Sequence, residues 1–343
     1  MKTILYIGNH LSRGGAYPSV AESLAPYLLP EVQLRLVSHY RNKPLRLAHM
    51  LWAVVRFGRK EHPVLIDTYS SLNFWYALLC GIGCRLMGIP YYCVLHGGNL
   101  PDRLKRTPQF CRWLFGGARR LISPSGYLQD AFRKAGYEAE VIPNPIPIAN
   151  YPFKLRDRVR PRLLWVRAFS VIYHPQMAIR VLHELVKDYP DAELCMVGPD
   201  KDGSMGKCKA MAEALGIAER VTFTGLLPKD EWIRLSADYD IFINTTNVDN
   251  MPVSVIEAMA LGLPVVCTDA GGLPYLIKDD KTGLLVSVGD VGEMVARVTQ
   301  LLDDPEVSAR LSVAGRKQAE EFDMEKVAQL WKKLLTEEYG EGK

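Results

Sequence analysis

Twelve short apolar runs, separated by longer stretches of helical character, constrain the fold more than any other feature of this chain. Apolar runs alternating with helical segments describe parallel sheets, because each crossover lays a helix on the sheet and buries the strands on both faces. In the first half the expected strands are Thr3–Gly8, Val32–Ser38, Pro63–Thr68, Tyr91–His96, Arg120–Pro124 and Ala139–Pro143. The second half restarts with Arg162–Arg167, Glu193–Gly198, Val221–Gly225, Ile241–Thr245, Pro264–Asp269 and Gly283–Val286. Between them lies Asn144-Pro-Ile-Pro-Ile-Ala-Asn-Tyr-Pro152, whose prolines exclude regular helix and interior strand. We read it as a linker between two doubly wound α/β domains, which suits a length of 343 residues.

With 48% hydrophobic and 23% charged residues, the chain has ample core for a globular protein. Seven scattered cysteines give no disulfide framework, and Cys80 and Cys84 lack zinc spacing, so a reducing cytosol is the expected compartment. The N-terminus runs into a strand without a secretion pattern. Residues 72–84 are the longest strongly apolar run, but Arg85, Gly88 and Pro90 cut it short of the roughly 20 residues a bilayer needs. The net charge of +4 hides an asymmetry: residues 1–160 hold 22 Lys and Arg against 9 Asp and Glu, and residues 161–343 hold 20 against 29. One half is expected to face something anionic.

The chemistry concentrates in Asp249-Asn-Met-Pro-Val-Ser-Val-Ile-Glu257-Ala-Met-Ala-Leu-Gly-Leu-Pro-Val-Val266. An apolar strand and a polar loop lead to a helix opening at Pro252, where proline costs no hydrogen bond. Val253 and Ser254 fall in its first turn, whose N–H groups lack helical partners and attract anions. Asp249 lies beside that end and Glu257 one turn deeper. Acceptors around an anion site suit a sugar nucleotide, with phosphate on the amides and hydroxyls on the acids.

This segment closely resembles the acid-x7-Glu motif of retaining family-4 glycosyltransferases, which have the GT-B fold. The resemblance extends over essentially the whole chain. It implies two Rossmann-like domains facing across a cleft: an acceptor domain over 1–152, a nucleotide-sugar domain over 161–322, and a crossover helix over 323–343 packing back on the first domain. The ligand is then expected at the carboxyl ends of the strands. The resemblance assigns Glu257 to the ribose, Asp249 to the transferred sugar and the amides near Pro252, Val253 and Ser254 to the diphosphate. Asp249 stands where the first Glu is usual, one methylene shorter.

Several further residues fall on family positions. Gly14 and Gly15 follow the first strand and let the backbone approach a diphosphate or acceptor. His96, at the end of the fourth strand before Gly97-Gly98, matches a donor-sugar contact. Arg167 ends the first strand of the second half, where a guanidinium can grip a diphosphate. The Lys-Gly pair that often follows is replaced by Ser170-Val-Ile-Tyr-His174, which leaves His174 as a candidate second cation. Gly225 and Leu226 resemble the loop that reads the nucleotide base. Asn144, Ser125 and the Gly271-Gly272-Leu273-Pro274 turn complete the set, with Tyr275 where Glu is common.

The implied activity is a metal-independent, retaining hexosyltransferase reaction. A sugar moves from a nucleotide-sugar donor, UDP-sugar favoured, to a glycan or lipid-linked acceptor in polysaccharide or glycolipid synthesis. The nucleotide sugar is a substrate, and no cofactor is implied. Alternatives are a non-catalytic sugar- or lipid-binding relative and a GT-B sugar-nucleotide epimerase. Arg41 to Lys60 reads as a cationic amphipathic helix with Trp52 and Phe57, joined by a second basic cluster from Arg103 to Arg120. That pattern suits peripheral association with an anionic inner membrane face as well as a solvated helix face. No nucleic-acid recognition motif is present.

Overall fold

The computed structural model of the protein describes residues 2–11 and 19–337. The chain forms two compact units, one taking it up to Pro145 and again from Met324, the other running from Ile146 to Asp323. In the first unit six parallel strands, β1 (Lys2–Ile7), β2 (Val32–Val37), β3 (Val64–Thr68), β4 (Tyr91–Leu95), β5 (Arg120–Ser123) and β6 (Glu140–Val141), lie in the order β2-β1-β3-β4-β5-β6. Its helices are α1 (Val20–Leu28), α2 (Lys43–Phe57), α3 (Asn73–Leu86), α4 (Leu100–Arg106), α5 (Pro108–Phe115) and α6 (Gly126–Lys134). Alternation along β1 feeds two cores. Ile4 and Tyr6 share one with Leu24 and Leu28 of α1, and Leu5 and Ile7 share the other with Met50 of α2 and Phe74 of α3. Both faces are buried, so these strands read as apolar runs.

The second unit repeats the scheme with β7 (Arg162–Val166), β8 (Glu193–Val197), β9 (Val221–Gly225), β10 (Ile241–Asn244), β11 (Val265–Thr268) and β12 (Leu284–Val286), ordered β12-β11-β10-β7-β8-β9. Around them lie α7 (Pro175–Leu185), α8 (Ser204–Ala214), α9 (Lys229–Leu235), α10 (Val253–Ala260), α11 (Leu273–Leu276), α12 (Val291–Asp303) and α13 (Pro305–Ala319). The last helix, α14 (Met324–Glu337), belongs to the first unit, where Val327, Ala328 and Trp331 join the core of Ile4 and Leu24.

All twelve expected strands form. The weakest is the sixth: only Glu140 and Val141 pair, both exposed at the sheet edge, because Pro143 has no N–H to extend the ladder. Pro252 caps its helix rather than opening it. The helices α4 and α5 were not expected; Pro101 and Pro108 sit in their first turns, where proline is tolerated. The apolar run at 72–84 lies largely within α3, which buries Phe74, Ala77, Cys80 and Cys84. Among the described residues no helix is long and apolar enough to cross a membrane.

Each sheet order reverses once, between β1 and β3 and between β7 and β10. At such a switch point the connections leave toward opposite faces and open a crevice at the carboxyl ends. These two places hold the polar side chains described next.

Candidate active site

In the second unit Arg167 follows β7 and Asp249 lies in the loop after β10, the two strands that flank the switch point. A terminal guanidinium nitrogen of Arg167 and Oδ2 of Asp249 form an ion pair, with side-chain exposures of 18% and 14%. The same guanidinium lies 4.3 Å from the ring centre of Tyr173. Sequence reasoning gave Arg167 and Asp249 separate tasks; the structure makes them partners.

Two glycines explain how the Asp249 loop is held. Gly271 has φ +58, and a Cβ there would lie 2.1 Å from the Asp249 carbonyl oxygen. On Gly272 it would lie 1.5 Å from the Asn250 carbonyl oxygen, and the Gly272 N–H donates to the Asp249 carbonyl at 2.9 Å. Only a bare backbone fits there. On the other side of Arg167, Gly198 donates at 2.8 Å to the carbonyl of Gly225, and its own Cβ would meet the Arg167 carbonyl at 1.8 Å. The ends of β7, β8 and β9 thus bring the backbones of Arg167 and Gly225 close together. Leu226, next in line, is 53% exposed.

Pro252 caps α10, its carbonyl accepting from Val255 at 3.1 Å, so the Val253 and Ser254 amides lie outside the helical ladder. Two buried polar atoms, Oγ of Ser254 and Nε of Arg167, have no hydrogen-bond partner. A ligand seated at this helix end would offer both of them an acceptor. Glu257, one turn in, is 3% exposed. Its Oε1 accepts a 2.7 Å hydrogen bond from the Tyr151 hydroxyl and pairs with the Lys229 ammonium. That leaves Oε2 for a ligand. Burial lowers the Arg167 pKa, while Tyr173 and then Glu257 act to raise it, so the carboxylate is near enough to be felt at the guanidinium. Burial, then the charge of Glu257, pushes the Tyr151 phenol far above its ordinary range and keeps it a donor.

His174 is the candidate second cation after Arg167. It takes a left-handed backbone, φ 46, before Pro175 opens α7. Burial and then Arg180 push its imidazole below its ordinary pKa, which disfavours the charged form. Lys229 is the cation that spacing missed, paired with the acid rather than placed after Arg167.

At the switch point of the first unit, Asp67 Oδ1 accepts from the Tyr6 hydroxyl at 2.7 Å and pairs with His96 Nε2 at 2.8 Å. The His96 ring stacks on Tyr69, centroids 5.3 Å apart. A Cβ on Gly8 would sit 2.3 Å from Asp67 Oδ2, so the glycine after β1 makes room for the carboxylate. His96 and Asn144 line one cavity with Tyr6, Leu24, Pro124 and Trp331. Ser125 instead caps α6, its hydroxyl accepting from Leu128 N–H at 3.3 Å. Gly14 and Gly15 lie outside the described residues. His10, which sequence reading passed over, is 4% exposed with Nδ1 2.9 Å from Ser19 Oγ, and burial lowers its pKa. Asp67 had a visible signal, a lone acid directly after the apolar run Val64-Leu65-Ile66.

Residues 152–318 match the model of the group 1 glycosyl transferases, and residues 2–150 that of glycosyltransferase family 4. The chain belongs to the family-4 glycosyltransferases. This glycosyltransferase is 32% identical over 151 residues to a sulfoquinovosyl transferase of Arabidopsis thaliana, covering 43% of the chain and 28% of the relative. It is 36% identical over 147 residues to the GDP-mannose-dependent alpha-(1-6)-phosphatidylinositol monomannoside mannosyltransferase of Mycolicibacterium smegmatis, covering 41% of the chain and 38% of the relative. The 2-deoxystreptamine glucosyltransferase of Streptomyces kanamyceticus aligns over 335 residues at 26% identity, 88% of this chain and 84% of that one. The GT-B fold appears in Anabaena HepE in complex with UDP and glucose, at a TM-score of 0.77 and 18% identity over 98% of this chain and 100% of that one. Sucrose-phosphate synthase from Thermosynechococcus elongatus gives 0.79 and 16%, over 97% and 99%. The chain spans less than half the length of the Arabidopsis and Mycolicibacterium relatives.

Proposed function

We propose that the enzyme moves a sugar from a nucleotide-sugar donor, UDP-sugar before others, to the hydroxyl of a glycan or lipid-linked acceptor, retaining anomeric configuration and needing neither metal nor cofactor. The observation that carries this reading is the second unit's arrangement of Arg167, the free α10 amides and the pinned Glu257. Arg167 with the Val253 and Ser254 amides would offset the charge of a leaving diphosphate, a preorganised electrostatic task. Glu257 Oε2 would accept from ribose hydroxyls, and the Gly225–Leu226 backbone would meet the base. Asp249 and His96 are assigned to the transferred sugar, and Asn144 to the donor. In a front-face step the bond from the anomeric carbon to the phosphate oxygen breaks while a bond to the acceptor oxygen forms on the same face. The acceptor proton passes to the departing phosphate. HepE, bound to UDP and glucose, supports uridine; the mycobacterial relative's name supports guanosine as the next choice.

The first unit supports a membrane-proximal acceptor in cell-surface glycan or glycolipid synthesis. Between His39 and Arg119 the chain carries twelve Lys or Arg and three Asp or Glu. Trp52, Val55, Phe110 and Trp113 on α2 and α5 are exposed beside Lys43, Arg56, Lys60 and Arg112. Cations with exposed aromatic rings suit an anionic lipid surface. Arg46 is no part of that face. It is 8% exposed and donates to the carbonyls of Tyr40 and Arg41 and to Asn9 Oδ1.

The test is incubation with UDP-, GDP- and ADP-sugars followed by NMR of the products. Free nucleotide with a glycoside of unchanged anomeric configuration is expected. An inverted product sinks the retaining reading, and an altered nucleotide sugar with no transfer sinks the transferase reading.

A further inference from the structure

A buried carboxylate decides which nitrogen of His96 is left for a ligand. Asp67 is 8% exposed, and two groups converge on its Oδ1, the Tyr6 hydroxyl and His96 Nε2. An ionised carboxylate only accepts hydrogen bonds, so each partner must bring a hydrogen. Tyr6 can do so at any working pH, because burial and then Asp67 raise its pKa well above the ordinary range. Nε2 must do so too. A neutral imidazole carries one N–H, and once it lies at Nε2 the lone pair is at Nδ1. The ring is held by more than this bond: it stacks on Tyr69, and the His96 backbone N–H donates to Thr68 at 2.9 Å. His96 also borders the cavity lined by Asn144 and Trp331.

We infer that Asp67 and Tyr6 are positioning residues that hold His96 in its Nε2–H tautomer, so that Nδ1 accepts a hydrogen bond from a ligand hydroxyl. A group bearing a hydrogen, such as a sugar hydroxyl, satisfies that lone pair. A deoxy or ether analogue leaves it unpaired, which is how a polar site rejects a near-isostere. Gly8 belongs to the device, since any side chain there would collide with Asp67 Oδ2. The use of this acceptor toward a sugar rests on the proposed transferase reaction; the tautomer does not.

The test is long-range ¹H–¹⁵N NMR of the ¹⁵N-labelled, ligand-free protein near about pH 8, where an ordinary histidine is neutral, with His96 assigned by its loss in His96→Gln. The wild type is expected to show the Nε2–H pattern. Tyr6→Phe should keep it, and Asp67→Asn, whose amide can donate as well as accept, should shift His96 toward Nδ1–H. An Nδ1–H or doubly protonated His96 in the wild type overturns the inference, whether or not the variants fold. Turnover of the nucleotide sugar found in the donor screen should fall at least about tenfold in folded Asp67→Asn, the cost of one misplaced hydrogen bond, and less in Tyr6→Phe. Wild-type turnover in Asp67→Asn overturns the positioning role. If no nucleotide sugar turns over, the transferase reading fails while the spectrum still decides the tautomer.

Discussion

The hydroxyl of Tyr151 donates a 2.7 Å hydrogen bond to Oε1 of Glu257, joining the last residue before Pro152 to the helix α10. The Lys229 ammonium meets the same oxygen. A polar group so nearly buried is costly without partners, and both bonds fall on Oε1, which leaves Oε2 for the ribose hydroxyls of the proposed donor. Tyr151→Phe should therefore weaken nucleotide binding by roughly 0.5–1.5 kcal/mol, the net value of one hydrogen bond. Calorimetric titration with UDP measures it. Equal affinity in the variant and the wild type would mean that Glu257 needs no such support.

Asp249 competes for Arg167. In the free protein the two form an ion pair, so a diphosphate bound at Arg167 as proposed would share or displace the carboxylate. Asp249→Asn keeps size but removes the charge, and should tighten binding of UDP itself while transfer falls at least about tenfold. Measuring both in one preparation separates the outcomes. Weaker UDP binding in the variant would show that Asp249 orients Arg167 rather than competing for it.

The fold was largely legible because its signal is local: burial on both faces writes strands such as β3, β4 and β10 as apolar runs, and proline stands in the first turn of α2, α4, α5, α7 and α13. Asp249 and Glu257 were singled out by the acid-x7-Glu motif and Arg167 by its place at a strand end, and the structure puts Arg167 and Asp249 after the two strands that flank the switch point. Their partners were not. Tyr151 lies 106 residues from Glu257 and Lys229 lies 28 away, and no spacing rule spans such gaps. Arg46 is a different case. Its burial was written in the helix, since Arg46, Met50, Ala53 and Val54 recur at helical spacing and are the buried residues of α2. Counting its charge as surface charge overlooked that period.

The loop that follows Arg167 is tied down by an acid. Asp202 accepts hydrogen bonds from Ser204 and from the Val171 backbone, which hold its carboxyl down at about 2. A depressed folded pKa adds stability that is present above the ordinary aspartate value and lost as pH falls through the folded one. Wild type should therefore exceed Asp202→Asn in thermal stability at neutral pH, with the lead shrinking below about pH 4 and gone near about pH 2. Parallel melts across that range read it directly. A lead that stays constant through acid would assign the effect to shape, not charge.

The exposed cations of the first unit make the last prediction. Lys43, Arg56, Arg59 and Lys60 are solvent-facing, whereas Arg46 is engaged with three oxygen acceptors inside the fold. Each cation near an anionic bilayer adds on the order of 1 kcal/mol, and the attraction decays over a Debye length of about 8–10 Å. Binding to vesicles containing phosphatidylserine should thus exceed binding to neutral vesicles and weaken as salt rises. Replacing the four exposed residues by Gln should abolish the preference and leave nucleotide affinity unchanged. Trp52→Ser should weaken binding to both kinds of vesicle, because it removes an apolar anchor rather than a charge. Arg46→Gln should behave oppositely: its vesicle binding should stay near wild type while its melting temperature drops, since the Tyr40 and Arg41 carbonyls and Asn9 Oδ1 lose their donor. Wild-type protein that ignores anionic vesicles at low salt would end the membrane reading and leave a soluble acidic glycan as the better acceptor.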